Sequence, residues 1–180
     1  MEAPPLIMLA TLEYEMSLIN HQLLSMALAY LELGEIASST DKEIKDNSEY
    51  QNAVAYQLYH AIELFYKYMI KIKTGKINEI HDLAELGQEY RKLYPGPEYN
   101  FEHPFDFSNY ESSIKNPNEE VFKNKHLNKF KPKYMDQHLR YPADYRTGGY
   151  SYSIESSYFN IIKEKMLSLS TTTTTTTTTT

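Results

Sequence analysis

The sequence predicts an all-α protein, an antiparallel bundle of four to five helices with a small β-hairpin inserted before the last helix. Three observations carry this. Apolar residues recur at alternating steps of four and three over two long stretches, Leu12 to Leu33 and Val54 to Ile72, which is the period of a helix face and not of a strand. Glycine or proline stands where successive periodic stretches stop, at Gly34, Gly75 and Pro95, as helix boundaries require. A strand-like alternation, Tyr150, Tyr152 and Ile154, follows the pair Gly148-Gly149, the pattern of a tight hairpin.

The first helix rests on Leu12, Met16, Ile19, Leu23, Met26, Tyr30 and Leu33, a heptad stripe. A second stripe, Leu24, Leu28 and Leu31, widens the apolar face, so burial in a bundle is expected over a free zipper. Gly34 and the polar Ser38-Ser39-Thr40-Asp41 mark its end. The second helix is expected from a cap at Ser48 to Thr74, with Val54, Leu58, Ile62, Phe65, Met69 and Ile72 as its stripe and Gly75 beyond it. Its roughly 25 residues span about 38 Å, comparable to the first, and two such lengths predict an antiparallel pair. Leu83, Leu86, Tyr90 and Leu93 define a third helix, ended by Pro95-Gly96-Pro97. Tyr94 to Asn118 is aromatic, proline-bearing and aperiodic, so it reads as a long ordered loop with short helical turns at most. Asn116-Pro117-Asn118-Glu119-Glu120 begins a further helix carrying Val121, Phe122 and Phe130, which Pro132 closes. The hairpin is expected over Gln137 to Ile154, and Ile154, Tyr158, Ile161, Ile162, Met166 and Leu169 make the final helix.

Composition narrows the class. Of 180 residues, the last ten are a threonine run, Thr171 to Thr180, which is set apart as a disordered or artificial tail. Residues 1–170 are expected to form a single domain. With 41% hydrophobic and 23% charged residues, the chain can bury a core, and disorder by composition is excluded. The absence of cysteine excludes a disulfide scaffold, a cysteine nucleophile and thiolate metal sites. No run approaches the ~20 apolar residues of a membrane span. Met1 to Ala10 is apolar but lacks a basic start and contains Pro4 and Pro5, which reads against a secretory leader. A cytoplasmic protein without a membrane partner is the expectation.

The net charge of −6 speaks against a strongly basic nucleic-acid binder, yet the charge is uneven. Met1 to Glu49 holds nine acids and two lysines, −7, which leaves +1 for the rest. There, Lys115, Lys123, Lys125, Lys129, Lys131 and Lys133 stand against only Glu119 and Glu120, a local +4 that can attract phosphate or simply be solvated. Seventeen tyrosines without a tryptophan suit interfaces and the margins of cores alike.

The most informative stretch is His60-Ala61-Ile62-Glu63-Leu64-Phe65-Tyr66-Lys67, followed across a glycine-bearing loop by His81-Asp82-Leu83-Ala84-Glu85-Leu86. His60, Glu63, Lys67 and Lys71 share one side of the second helix, and Glu63 precedes Lys67 by four, the favourable order for an ion pair. The strip reads either as a solvated ladder or as the floor of a groove between subunits. A long helix of this pattern, then a loop and His-Asp-Leu, resembles the HEPN superfamily of small prokaryotic helical domains, with the likeness concentrated in Tyr50 to Tyr94. The resemblance implies an antiparallel bundle, a homodimer, and a place in toxin–antitoxin pairs, nucleotidyltransferase partnerships, CRISPR systems or phage defence. It also implies that His81 and Asp82 set the start of the third helix, where an aspartate suits the positive helix end.

Many HEPN proteins are metal-independent ribonucleases marked by an arginine followed after four to six residues by a histidine. None of Arg91, Arg140 and Arg146 has a histidine at that spacing. Lysines alone cannot both exchange a proton near neutral pH and hold the scissile phosphate. The six histidines show no close metal-ligand spacing, and no phosphate-binding glycine loop or calcium loop occurs, so neither metal nor cofactor is expected. Arg140, Tyr141 and Arg146 lie in the tyrosine-rich segment around Gly148-Gly149, which reads as a recognition tongue or as a plain lid on the bundle.

The sequence therefore points to a non-catalytic HEPN-like dimeric module that binds a partner protein, with nucleotide or RNA as a further ligand. The candidate binding residues are His60, Glu63, Lys67, Arg140, Tyr141 and Arg146. The alternative is a ribonuclease with a rearranged site built from His60, His138, Arg140 or Arg146, and a phage or plasmid inhibitor of such a system is a third reading. The homodimer is expected through Leu24, Leu28, Leu31, Tyr59, Tyr66 and Ile70, which together exceed what one core can bury.

Overall fold

The computed structural model describes residues 6–40, 47–105, 139–140 and 154–177. Among these the protein is all-α, with helices α1 (Leu6–Ser38), α2 (Ser48–Thr74), α3 (Leu83–Leu93) and α4 (Ser156–Thr177), and a 3-10 turn at Pro97–Tyr99. The helix expected near Asn116 and nearly all of the expected hairpin lie outside the described residues. At the hairpin's expected start, Leu139 and Arg140 have helical backbone.

α2 is the hub. Its most extensive packing is with α1, and it also carries α3, while α1 takes up α4. Every residue from Ala61 to Lys71 is buried, so α2 is covered all round, as befits a central helix. Its start is fixed by Asn47, one residue before the expected Ser48, because the Asn47 carboxamide accepts from the Tyr50 amide at 2.9 Å. Its end is the one expected. Gly75 adopts a left-handed φ of 72° and returns its N–H to the Lys71 carbonyl at 2.7 Å. Asp82 caps α3 by accepting from the amides of Ala84 and Glu85, which is the local role expected of it.

Gly34 does not end α1; it lies inside it. A Cβ at this position would stand 2.1 Å from the Phe159 ring, so only glycine lets the buried phenylalanine of α4 rest against the α1 backbone. That contact offsets the ~1 kcal/mol glycine costs within a helix. The helix stops four residues later, where the Ser38, Ser39 and Thr40 hydroxyls donate to the carbonyls of Glu35 and Ile36, which also accept from the Ser39 amide.

The core face of α1 also differs from the expected one. Ala27, Leu31, Gly34 and Ser38 are buried, with Leu24 and Leu28 partly so, whereas Met26 and Leu33 of the heptad stripe are exposed. The secondary stripe therefore faces inward. Gly34 admits the Phe159 ring of α4 closely, which requires this face of the helix to turn inward.

Aromatic side chains fill the other side of α2. Tyr66 meets Tyr90 and Phe101, and Tyr90 and Tyr94 stack on toward Tyr99. Three of the buried tyrosines reach backbone carbonyls with their hydroxyls: Tyr94 donates to Met69, Tyr90 to Tyr99 and Tyr59 to His81. This satisfies a polar tip that burial would otherwise penalise. Burial and its tyrosine neighbours raise the phenol of Tyr90, and the same causes push Tyr94 up to about 12.

One consequence corrects the basis of the expected dimer. Leu31, Tyr59, Tyr66 and Ile70 are buried within a single chain, and Leu24 and Leu28 are partly covered, because α2 is surrounded and not laid on a surface. Those six residues leave no shared face for a partner. α4 runs to Thr177, seven residues past the boundary drawn at 170. The Thr171, Thr172 and Thr173 hydroxyls donate to carbonyls three or four residues back, a bond that threonine makes readily in a helix.

Candidate functional site: a buried glutamate between two histidines and a lysine

The 3.6-residue repeat sets Tyr56, His60, Glu63 and Lys67 along one side of α2. The loop from Gly75 to Asp82 then brings His81 back over that side. Glu63 is only 1% exposed. Its Oε1 accepts from Lys67 Nζ at 2.8 Å and from His81 Nδ1 at 2.9 Å, and its Oε2 lies 3.3 Å from His60 Nδ1. An ionised carboxylate only accepts hydrogen bonds, so both imidazoles carry a proton on Nδ1 and turn Nε2 away from it.

Burial alone would raise the Glu63 carboxyl. Hydrogen bonds from His60 and Lys67, with their charges, instead hold it down at about 2. Glu63 is thus ionised at neutral pH, and Lys67 neutralises it. Lys71, one turn further and also buried, has its ammonium lowered by desolvation. The strip is neither the solvated ladder nor the open groove floor expected of it, since both Glu63 and Lys67 are inside the fold. From Ala61 to Lys71 every residue of α2 is buried, so this stretch has no solvent face to give them.

Outward from Glu63 the site continues as a stack of rings. His60 meets Tyr30 of α1 edge-on at 4.7 Å and lies nearly parallel to Tyr56 at 5.6 Å. The Arg140 guanidinium sits over the Tyr56 ring at 5.9 Å, a cation–π arrangement. Four of the expected residues, His60, Glu63, Lys67 and Arg140, are therefore brought together, although 80 positions separate the first and last. Tyr141, Arg146 and His138 lie outside the described residues, as does the lysine cluster from Lys115 to Lys133.

Two members were not anticipated as site residues. Tyr56 had a signal, since it precedes His60 by four on the same face. The resemblance gives His81 a structural role at the start of α3, and nothing in its local spacing tells that its ring reaches a carboxylate eighteen residues earlier. Its side chain is 70% exposed, so the buried carboxylate communicates with solvent through an imidazole. Among the described residues, no group of three or more His, Asp or Glu side chains is placed to hold a metal ion, and no helix is long and apolar enough to cross a membrane.

The chain matches no family model, no curated protein and no solved structure. The chemistry must be judged from the geometry. The arrangement offers a fixed cation at one end, Arg140, and a carboxylate-held imidazole at the other, His81, joined by aromatic rings with little rotational freedom.

Proposed function

We propose that this chain is a non-catalytic, dimer-forming helical module of HEPN type, cytoplasmic, that binds a partner protein of a bacterial defence or toxin–antitoxin system and accepts an RNA or nucleotide phosphate at the same surface. In this reading α1 and α2 run antiparallel, and a hairpin before α4 presents Tyr141 and Arg146 beside Arg140. One observation carries it: the column of Arg140, Tyr56 and His60 resting on buried Glu63. Such a column presents a planar cation in a held orientation, which suits bidentate recognition of a carboxylate or phosphate. Glu63 and Lys67 are engaged with one another, so they act as supports and not as proton carriers.

The test is titration of the protein with single-stranded RNA, with a nucleoside triphosphate and with the product of the adjoining gene. Arg140→Ala and Tyr56→Ala should each weaken the productive interaction at least about tenfold, one charge-assisted contact's worth, with helix content unchanged. Binding that ignores both substitutions rules the surface out.

A ribonuclease with a rearranged site is favoured by a different observation, the His81 imidazole held by a buried carboxylate and open to solvent, the relation that orients a general base. Incubation with RNA in the absence of metal separates the two readings. Cleavage that His81→Ala removes would establish the second.

A further inference from the structure

Where the chain leaves α2 and returns as α3, it encloses a cavity of about 420 Å³ that opens to solvent. Ile70 and Thr74 of α2, Lys76, Ile77 and Asn78 of the loop, and Glu89 of α3 line it, and none of them belongs to the Glu63 cluster. The volume falls within the ~300–1,000 Å³ of small-molecule sites. Ile70, 1% exposed, makes the inner apolar wall, and Ile77, 49% exposed, the outer one. The polar residues are held in place. The Thr74 hydroxyl donates to the Ile70 carbonyl at 2.8 Å and accepts from the Lys76 amide at 3.2 Å, which ties the backbone at Lys76 to the end of α2. Asn78 Oδ1 accepts from the Ile80 amide at 2.8 Å, and Asn78 Nδ2 donates to Glu89 Oε2, so the carboxylate is oriented by a side chain that is itself fixed. Its Oε1 has no partner among the described residues. Nor, among those residues, does the Lys76 ammonium or the Glu89 carboxylate make an ion pair. One apolar cavity thus carries two opposite charges that do not satisfy each other.

We infer that this cavity binds a small aliphatic zwitterion, an α-amino acid of the leucine class, with its side chain between Ile70 and Ile77, its ammonium on Glu89 and its carboxylate on Lys76. Each part of the wall selects one part of that ligand. The two isoleucines call for an apolar body, since a small polar molecule would leave them wet. The open oxygen of Glu89 calls for a cationic donor, and the Lys76 ammonium for an anionic acceptor, each contact being charge-assisted. Other small ligands match only in part. A fatty acid offers nothing to Glu89, an alkylamine offers nothing to Lys76, and a nucleotide phosphate would set its charge against the Glu89 carboxylate. Apolar walls with a few placed polar groups are the usual make-up of such a site. The site stands apart from the Arg140 column and does not depend on the function proposed above.

Calorimetric titration of the full chain with L-leucine is the test, beside three probes that each lack one part of it: leucinamide without the carboxylate, 4-methylpentanoate without the ammonium, and glycine without the side chain. Leucine should bind saturably at one site per chain, and each of the three should bind at least about tenfold more weakly. Glu89→Gln, which keeps an acceptor for Asn78, and Lys76→Ala, at an exposed position, should each weaken leucine by a similar factor with helix content unchanged. Ile77→Ser should do the same. Arg140→Ala, at the surface proposed above, should leave leucine binding as it is, so the two sites fail or stand separately. Absence of saturable binding at millimolar leucine overturns the inference. So does leucinamide or 4-methylpentanoate binding as tightly as leucine, or leucine binding that survives both charge changes, because the charges would then have no part in it.

Discussion

The Glu63 cluster and the outer face of α1 are inverses of one another. One places a carboxylate and an ammonium inside the fold beneath two imidazoles that reach solvent, and the other leaves methionine, leucine and isoleucine in water. Read by polarity, each belongs where the other is. Buried polar groups and exposed large apolar ones are the informative departures in a folded protein, and here they divide two kinds of work. The buried cluster pins the loop before α3 to α2 and holds rings in a fixed stack. On the outer face of α1, Met26, Leu33 and Ile36 stay exposed.

The sharpest way to break this comparison is to remove one partner of the buried pair. Glu63→Ala, or Lys67→Ala, should cost about 3–5 kcal/mol in urea unfolding, because it strands the opposite charge inside the fold. The paired change Glu63→Leu with Lys67→Met should recover most of that loss, since apolar replacements of a whole buried pair are often nearly neutral. If either single change costs under ~0.5 kcal/mol, the pair is solvated after all.

Acid should act on the cluster and spare the outer face of α1. The Glu63 carboxyl is held at about 2 in the folded state against 4.5 for a free glutamate, so its contribution, about 3 kcal/mol, is present above pH 4.5. It disappears as pH falls from 4.5 towards 2, where the folded form must also take up the proton. Thermal melts across this range should show that limb in the wild type and lack it in Glu63→Gln. A Leu33→Gln variant should keep it.

A third region tests how tightly α1 is set. Gly34→Ala places a methyl against the Phe159 ring and should destabilise by about 1–3 kcal/mol despite alanine's better helix propensity. Trimming the ring with Phe159→Leu should make the alanine less harmful, a coupling that a double-mutant cycle reads directly. The smallest effect belongs to the outer face of α1. Leu33→Gln should change stability in urea unfolding by less than ~0.5 kcal/mol.

Local chemistry was legible wherever a residue's role depends on its near neighbours. The period of Val54 to Ile72, the left-handed turn at Gly75 and the cap at Asp82 all follow from contacts within a few positions along the chain, so an all-α fold and the limits of α2 and α3 were set by sequence. His60, Glu63 and Lys67 shared a face for the same reason, as three and four residues make one helical turn. What surrounds that face could not be read, because periodicity ranks the sides of a helix and does not count the helices packed on it. Tertiary structure placed α2 at the centre, which turned a polar strip into a buried ion pair. It also brought His81 back over Glu63 and set Arg140 on Tyr56. It chose the secondary stripe of α1 for the core, where Gly34 lets the Phe159 ring of α4 rest against the helix backbone, a close packing that periodicity along one chain segment does not register.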